Sequence, residues 1–173
     1  MPYDPTKHHR RSIRLQSHDY TQNGTYLVTI VCRDRASLLD DPHFRAGAEE
    51  AWRWLAVQYE YVHLDQYVVM PNHLHGLIVI RGTRRGGSRT APTAKRKPLG
   101  RLVAAFKTVS TKRINEMRGT PGLPVWQRNY YEHVVRSEDE LNRVRQYILD
   151  NPTRWEEDRE NPANHPKGPP ATP

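Results

Sequence analysis

Residues 61–80 read YVHLDQYVVMPNHLHGLIVI. Two β-rich runs, Tyr61 to Met70 and His75 to Ile80, flank Pro71-Asn72, a pair with turn chemistry, so the stretch predicts a hairpin of adjacent antiparallel strands. His73 and His75 open the second run. Side chains two apart in a strand share a face, so both imidazoles can converge on one ion while Leu74 packs behind them. Imidazole is a common metal ligand, yet among nine histidines an H-x-H pair also arises by chance.

Upstream, Tyr26 to Cys32 is rich in β-branched residues and follows Asn23-Gly24, which reads as a first strand. Asp41-Pro42 then supplies an N-cap and a first-turn proline. Phe44, Ala48, Ala51, Trp52, Leu55 and Tyr59 recur at helical spacing, giving a helix over about 42–58. Downstream, residues 81–97 hold seven basic and no acidic residues among Gly, Ser, Thr and Pro, the composition of a flexible cationic loop. An apolar stripe from Leu99 to Met117 marks a second helix with Arg101, Lys107, Lys112 and Arg113 on its more polar faces, and Gly119 ends it. Val125 to Val135 predicts a fourth strand after an irregular entry. Ser137 and Glu140 form a capping box for a third helix, whose buried stripe is Leu141, Val144 and Ile148 and which Pro152 stops. Strand, helix, strand, strand, helix, strand, helix is the order of a ferredoxin-like α+β fold, a four-stranded antiparallel sheet with helices packed on it.

At 173 residues the chain suits one domain, placed at 23–155. Residues 1–22, with His8, His9, Arg10, Arg11 and Arg14, read as a basic arm or a disordered terminus. The polar, proline-rich stretch 156–173 is expected to be a disordered tail. A mean hydropathy of −0.88 and the lack of a long apolar run argue against a membrane span. The basic N-terminus resembles no secretory signal, so the expected location is cytoplasmic. Cys32 stands alone, which excludes an intrachain disulfide and multi-thiolate metal sites and leaves a packed thiol. A net charge of +8 with a pI near 9.8 favours a polyanionic partner, nucleic acid first, because Lys and Arg contacts to phosphate release counterions.

A second chemical feature lies at the end of the third helix. Tyr147 and Asn151 are i and i+4 and therefore neighbours on one helical face. A tyrosine beside a buried stripe is also a common packing residue, and Asn151 before Pro152 can simply end the helix. Tyr130 and Tyr131 are candidate base-stacking rings, with core packing the favoured assignment for one of the pair. Trp52, Trp54, Trp126 and Trp155 read as packing residues.

Three segments, RRSIRLQSHDYTQNGTYLVTIVCRDR, YVVMPNHLHGLIVI and WQRNYYEHVVRSEDELNRVRQYILDNP, resemble the REP-associated tyrosine transposases, IS200-like single-tyrosine HUH enzymes, over roughly residues 10–155. The resemblance implies that His73-Leu74-His75 is the HUH motif and Tyr147 the nucleophile. It further implies Asn151 as a third ligand to a divalent ion, Mg²⁺ or Mn²⁺. The implied activity is cleavage of single-stranded DNA beside repeat hairpins through a 5′-phosphotyrosine, leaving a free 3′-hydroxyl that can rejoin strands. His133 matches a recurring family stretch and could support the site from behind, contact DNA, or be structural. Arg10, Arg11, Arg14, Arg84, Arg85, Arg101, Lys107, Lys112, Arg113 and Tyr130 are the expected DNA contacts. A monomer is favoured and a dimer is the alternative. A catalytically silent nucleic-acid-binding module or a simple metal-dependent hydrolase would be the rival functions.

Overall fold

The computed structural model describes residues 19–82, 96–158 and 161–164. Arg10, Arg11 and Arg14 of the expected arm, Arg84 and Arg85 of the basic loop, and residues 165–173 of the tail lie outside them. The elements run β1 (Gly24–Val31), α1 (Pro42–Gln58), β2 (Val62–Val69), β3 (His73–Ile80), α2 (Leu99–Arg118), β4 (Tyr131–Val135) and α3 (Glu138–Asp150). The four strands form one sheet in the order β2-β3-β1-β4. Every neighbouring pair is antiparallel.

Alternation along the two central strands builds a different interior on each face of the sheet. Tyr26, Val28 and Ile30 of β1 join Leu74, Ile78 and Ile80 of β3 under α1 and α2, where Trp52 and Phe106 fill the main core. Gly76 belongs to that face because any Cβ there would collide with the Trp52 ring. On the opposite face, Leu27 and Leu77 pack against Ile148 of α3, with Val68, Val135, Leu141 and Val144 around them. Burying Ile148 contributes roughly 1.5–3 kcal/mol. This smaller core seats α3 directly above the face that carries His73 and His75.

Local chemistry sets the helix limits. The Asp41 carboxylate accepts from the backbone N–H of His43 at 2.8 Å and of Phe44 at 3.4 Å. Gly119, at φ 65°, closes α2 in the left-handed geometry that glycine tolerates. At the start of α3 the Ser137 hydroxyl accepts from the Glu140 N–H, while the Glu140 carboxylate reaches the Arg136 N–H at 2.7 Å, one residue outside the expected box. Asn151 keeps helical angles of φ −57° and ψ −44° despite the proline that follows. The chain then continues through Pro152 as the 3-10 stretch Asn151–Glu157.

One expectation is sharpened and one is corrected. Strand β4 covers Tyr131–Val135, so the irregular entry takes up residues 125–130. The Gln127, Arg128 and Asn129 carbonyls turn to the Lys107 ammonium at 2.8, 3.2 and 3.0 Å instead of to a strand. The polar stretch from 156 is also structured at residues 156–158 and 161–164. Amide side chains do there what apolar burial does elsewhere: Asn161 Nδ2 donates to the Trp155 carbonyl, and Asn164 Nδ2 to those of Glu156 and Asp158. No helix among the described residues is long and apolar enough to cross a membrane.

Candidate active site

Strand β3 opens on His73 and leaves that histidine and His75 fully buried or nearly so beneath α3, with 0% and 4% exposure. Their Nε2 atoms stand 3.0 Å apart, close enough for both to reach one ion with bonds of about 2.0–2.1 Å. Each ring is fixed from behind. Asn72 donates through Nδ2 to the Arg35 carbonyl at 3.0 Å, which points its Oδ1 at His73 Nδ1, 2.8 Å away. The Asn72 oxygen can only accept, so His73 carries its proton on Nδ1 and directs the Nε2 lone pair into the site. Across the β1–β3 register, the Thr29 hydroxyl meets His75 Nδ1 at 2.8 Å.

Helix α3 brings Tyr147 over this pair. Its hydroxyl lies 3.3 Å from His75 Nε2, the two rings meet edge-on, and the phenol remains 45% exposed. Asn151, one turn further on, is buried at 4% exposure. Its Nδ2 makes a long 3.5 Å contact to the Tyr147 carbonyl, and its Oδ1 has no hydrogen-bond partner among the described residues. A buried amide oxygen left in that state is costly unless something else takes it up.

The 3-10 stretch after Asn151 returns Trp155 and Asp158 to the imidazoles. The Trp155 ring sits tilted at 37° to that of His73 with centroids 5.9 Å apart, so it packs, as expected, but against the site itself. The Asp158 carboxylate lies 3.7 Å from His73 Nε2. His73, His75 and Asp158 each offer a ligand atom within 4.8 Å of the others. Nothing in the sequence pattern singles out Asp158, because it falls in a polar stretch without periodicity. Asn72 could have been suspected from its place beside His73, and Thr29 from strand alternation.

The expected DNA contacts disperse. Arg101, Lys112 and Arg113 are on α2, across the sheet from the histidines. Arg113 pairs with Glu50 at 2.8 Å, and Lys112 approaches Glu116 at 3.9 Å. Lys107 is committed to three carbonyls and is not a surface cation. Tyr130 does line the cleft beside Tyr147, together with Arg35 and Arg143, two cations the sequence reading passed over. His133 contacts neither site histidine by any resolved bond. It meets Glu140 at 2.7 Å, and the Arg136 N–H followed by this imidazole holds the Glu140 carboxyl below its ordinary pKa.

No protein-family model matches the chain. Its fold aligns with the structure of a REP-associated tyrosine transposase bound to a REP hairpin, with a TM-score of 0.54 at 18% identity, over 83% of this chain and 74% of that one. In sequence it is 31% identical to an uncharacterized protein of Haemophilus influenzae, over 91% of this chain and 96% of the other. The chain therefore belongs to the same family as the Haemophilus influenzae protein, and it is built on the fold of the REP-associated tyrosine transposase.

Proposed function

We propose that this protein is a metal-dependent, transposase-like single-strand DNA endonuclease and strand transferase that binds REP-type hairpins and cuts beside them with Tyr147. The observation that carries the reading is the 3.3 Å approach of the Tyr147 hydroxyl to the paired imidazoles. A nucleophile and a potential ion site thus share one point beneath an open cleft. Hairpin binding is supported by the solved relative of the same fold, which holds one, and by the net charge of +8.

The donor set fits a divalent ion. Two imidazole nitrogens, the Asp158 carboxylate and the orphaned Asn151 Oδ1 suit Mn²⁺ or Mg²⁺, with Mn²⁺ the more tolerant of nitrogen. When bound, the ion polarises the scissile phosphate and neutralises charge as it develops. The chain's own residues do the rest. Asn72 and Thr29 hold the imidazoles in register, and α3 presents the phenol. Arg35 and Arg143 line the cleft where backbone phosphates would pass. The Tyr147 oxygen bonds to phosphorus and its proton leaves to solvent through the exposed side of the ring. The phosphorus–O3′ bond breaks and the departing oxygen takes up a proton, giving a 5′-phosphotyrosine and a free 3′-hydroxyl. Attack by a 3′-hydroxyl reverses these steps and joins strands. Phenol and imidazoles can meet within one chain, so the reading requires no second subunit.

The test is covalent capture. With a hairpin-tailed oligonucleotide and Mn²⁺, the wild-type chain should form a protein–DNA adduct that Tyr147→Phe abolishes. Cleavage that survives loss of the phenol would instead identify a metal-dependent hydrolase, and hairpin binding without any adduct a silent DNA-binding module.

A further inference from the structure

Beside Tyr147 opens a cleft of about 680 Å³, and one wall of it comes from Gln127, Asn129, Tyr130 and Tyr131. This wall combines two carboxamides, Gln127 and Asn129, with two phenol rings, Tyr130 and Tyr131, the latter 41% exposed. Amides that offer a donor and an acceptor together match a base edge, and the exposed Tyr131 ring offers a stacking surface while the half-buried Tyr130 packs against the main core, so the chemistry is that of nucleobase contact.

The backbone of the wall is held in an unusual way. It leaves the sheet after the Cys32–Trp126 bridge and the Gln127 N–H bond to the Val31 carbonyl. Three successive carbonyls, of Gln127, Arg128 and Asn129, then converge on the single ammonium of Lys107 from α2. The same ammonium sits 5.6 Å from the centre of the Tyr130 ring. Burial pulls the Lys107 pKa down to about 8, so keeping a charge here is unfavourable apart from what those carbonyls return. A residue that served only to fill space at this position would not need a charge.

We propose that residues 127–131 form a nucleobase-reading subsite that selects the base flanking the scissile phosphate, with Lys107 as its positioning residue. The proposal rests on the single-strand DNA reading above. Gln127 and Asn129 read the base edge, Tyr131 stacks on its face, and adenine is the favoured base because a carboxamide pairs with its N6 amino group and N7 together.

The proposal is tested by binding rather than cleavage. The full Tyr147→Phe chain is titrated against fluorescent single-stranded hexanucleotides in which one position at a time is varied through the four bases. Anisotropy should show roughly ten-fold preference for adenine at one position. Gln127→Ala or Asn129→Ala should bring that ratio towards one and leave the weakest oligonucleotide bound within about two-fold of before. Lys107→Met should shrink the ratio in the same direction; if it fails to fold, the two amide variants decide alone. A flat base series, or a preference that persists in both amide variants, overturns the proposal. Its failure is separable from that of the nuclease reading. Adduct formation with a flat base series removes only the subsite, whereas base preference without any adduct removes the nuclease and leaves residues 127–131 as the base-reading element of a DNA-binding module.

Discussion

Thr29 and His75 face each other across the β1–β3 register and share a 2.8 Å hydrogen bond to the imidazole Nδ1. The contact holds the ring so that Nε2 faces His73 and Tyr147, and such outer partners tune a ligand's orientation and basicity. Thr29→Val keeps the branched shape and loses the hydroxyl. Its fold should persist while Mn²⁺ affinity, read by calorimetry without DNA, falls about 10- to 100-fold. Unchanged affinity would reduce Thr29 to a packing residue.

Asn72 joins a strained turn to the other imidazole. Asp34 and Arg35 are consecutive non-glycine residues at φ 56° and 52°, a geometry that costs on the order of 1–2 kcal/mol per residue. The Arg35 carbonyl presented by that turn accepts from Asn72, whose oxygen faces His73 Nδ1. Asn72→Ala removes both contacts at a fully buried position. A loss of about 1–3 kcal/mol in urea unfolding is expected, together with weaker Mn²⁺ binding. A variant as stable as wild type would mean that the turn and the histidine are not coupled.

Periodicity made most of this architecture legible. The stripes of α1, α2 and α3 each bury one face, a requirement that writes itself into local spacing, while β1 and β3 read as β-rich apolar runs because the sheet is covered on both sides. That His73 shares a face with His75, and Tyr147 with Asn151, followed from the same spacing, whereas the roles proposed for them came from the family resemblance. The remainder depends on contacts between distant residues. Asp158 reaches His73 only because Asn161 and Asn164 fold a polar stretch through side-chain hydrogen bonds, which leave no repeating pattern. Lys107 carries the same charge as Lys112, yet one ammonium is enclosed by carbonyls and the other exposed. Only the arrival of residues 127–129 from across the chain separates them.

Acid should loosen α3. The Arg145 guanidinium grips Asp65 of β2 through Nε at 3.1 Å and Nη2 at 2.6 Å, and this hydrogen bonding holds the Asp65 carboxyl below its ordinary value. The Glu140 carboxyl is lowered too, by the Arg136 N–H and then His133. A depressed carboxyl pKa stabilises the fold above the unfolded-state value, near 4, and that stability is lost as pH falls through the lower folded-state value. The wild-type melting temperature should therefore drop below about pH 4. Asp65→Asn should melt lower at pH 7 and show a shallower acid decline, since one of the two carboxylates is gone. Parallel curves for the two proteins would rule out Asp65 as a contributor to acid sensitivity.

Asn151 gives a prediction in which stability and metal response move in opposite directions. Its Oδ1 is buried without a partner among the described residues, and an unsatisfied oxygen of this kind costs about 1–3 kcal/mol. Asn151→Leu replaces the amide with an apolar group of similar size, so in chelator the variant should melt at or above the wild-type temperature. Adding Mn²⁺ should then separate the two proteins. Ligand at a hundred times its dissociation constant stabilises a fold by about 2.7 kcal/mol, and the wild type should show a rise of that kind that the variant largely lacks. A purely structural asparagine would behave differently, with Asn151→Leu destabilised in chelator and an undiminished response to Mn²⁺. The measurement needs neither DNA nor turnover, so it tests the ion site independently of the chemistry at Tyr147.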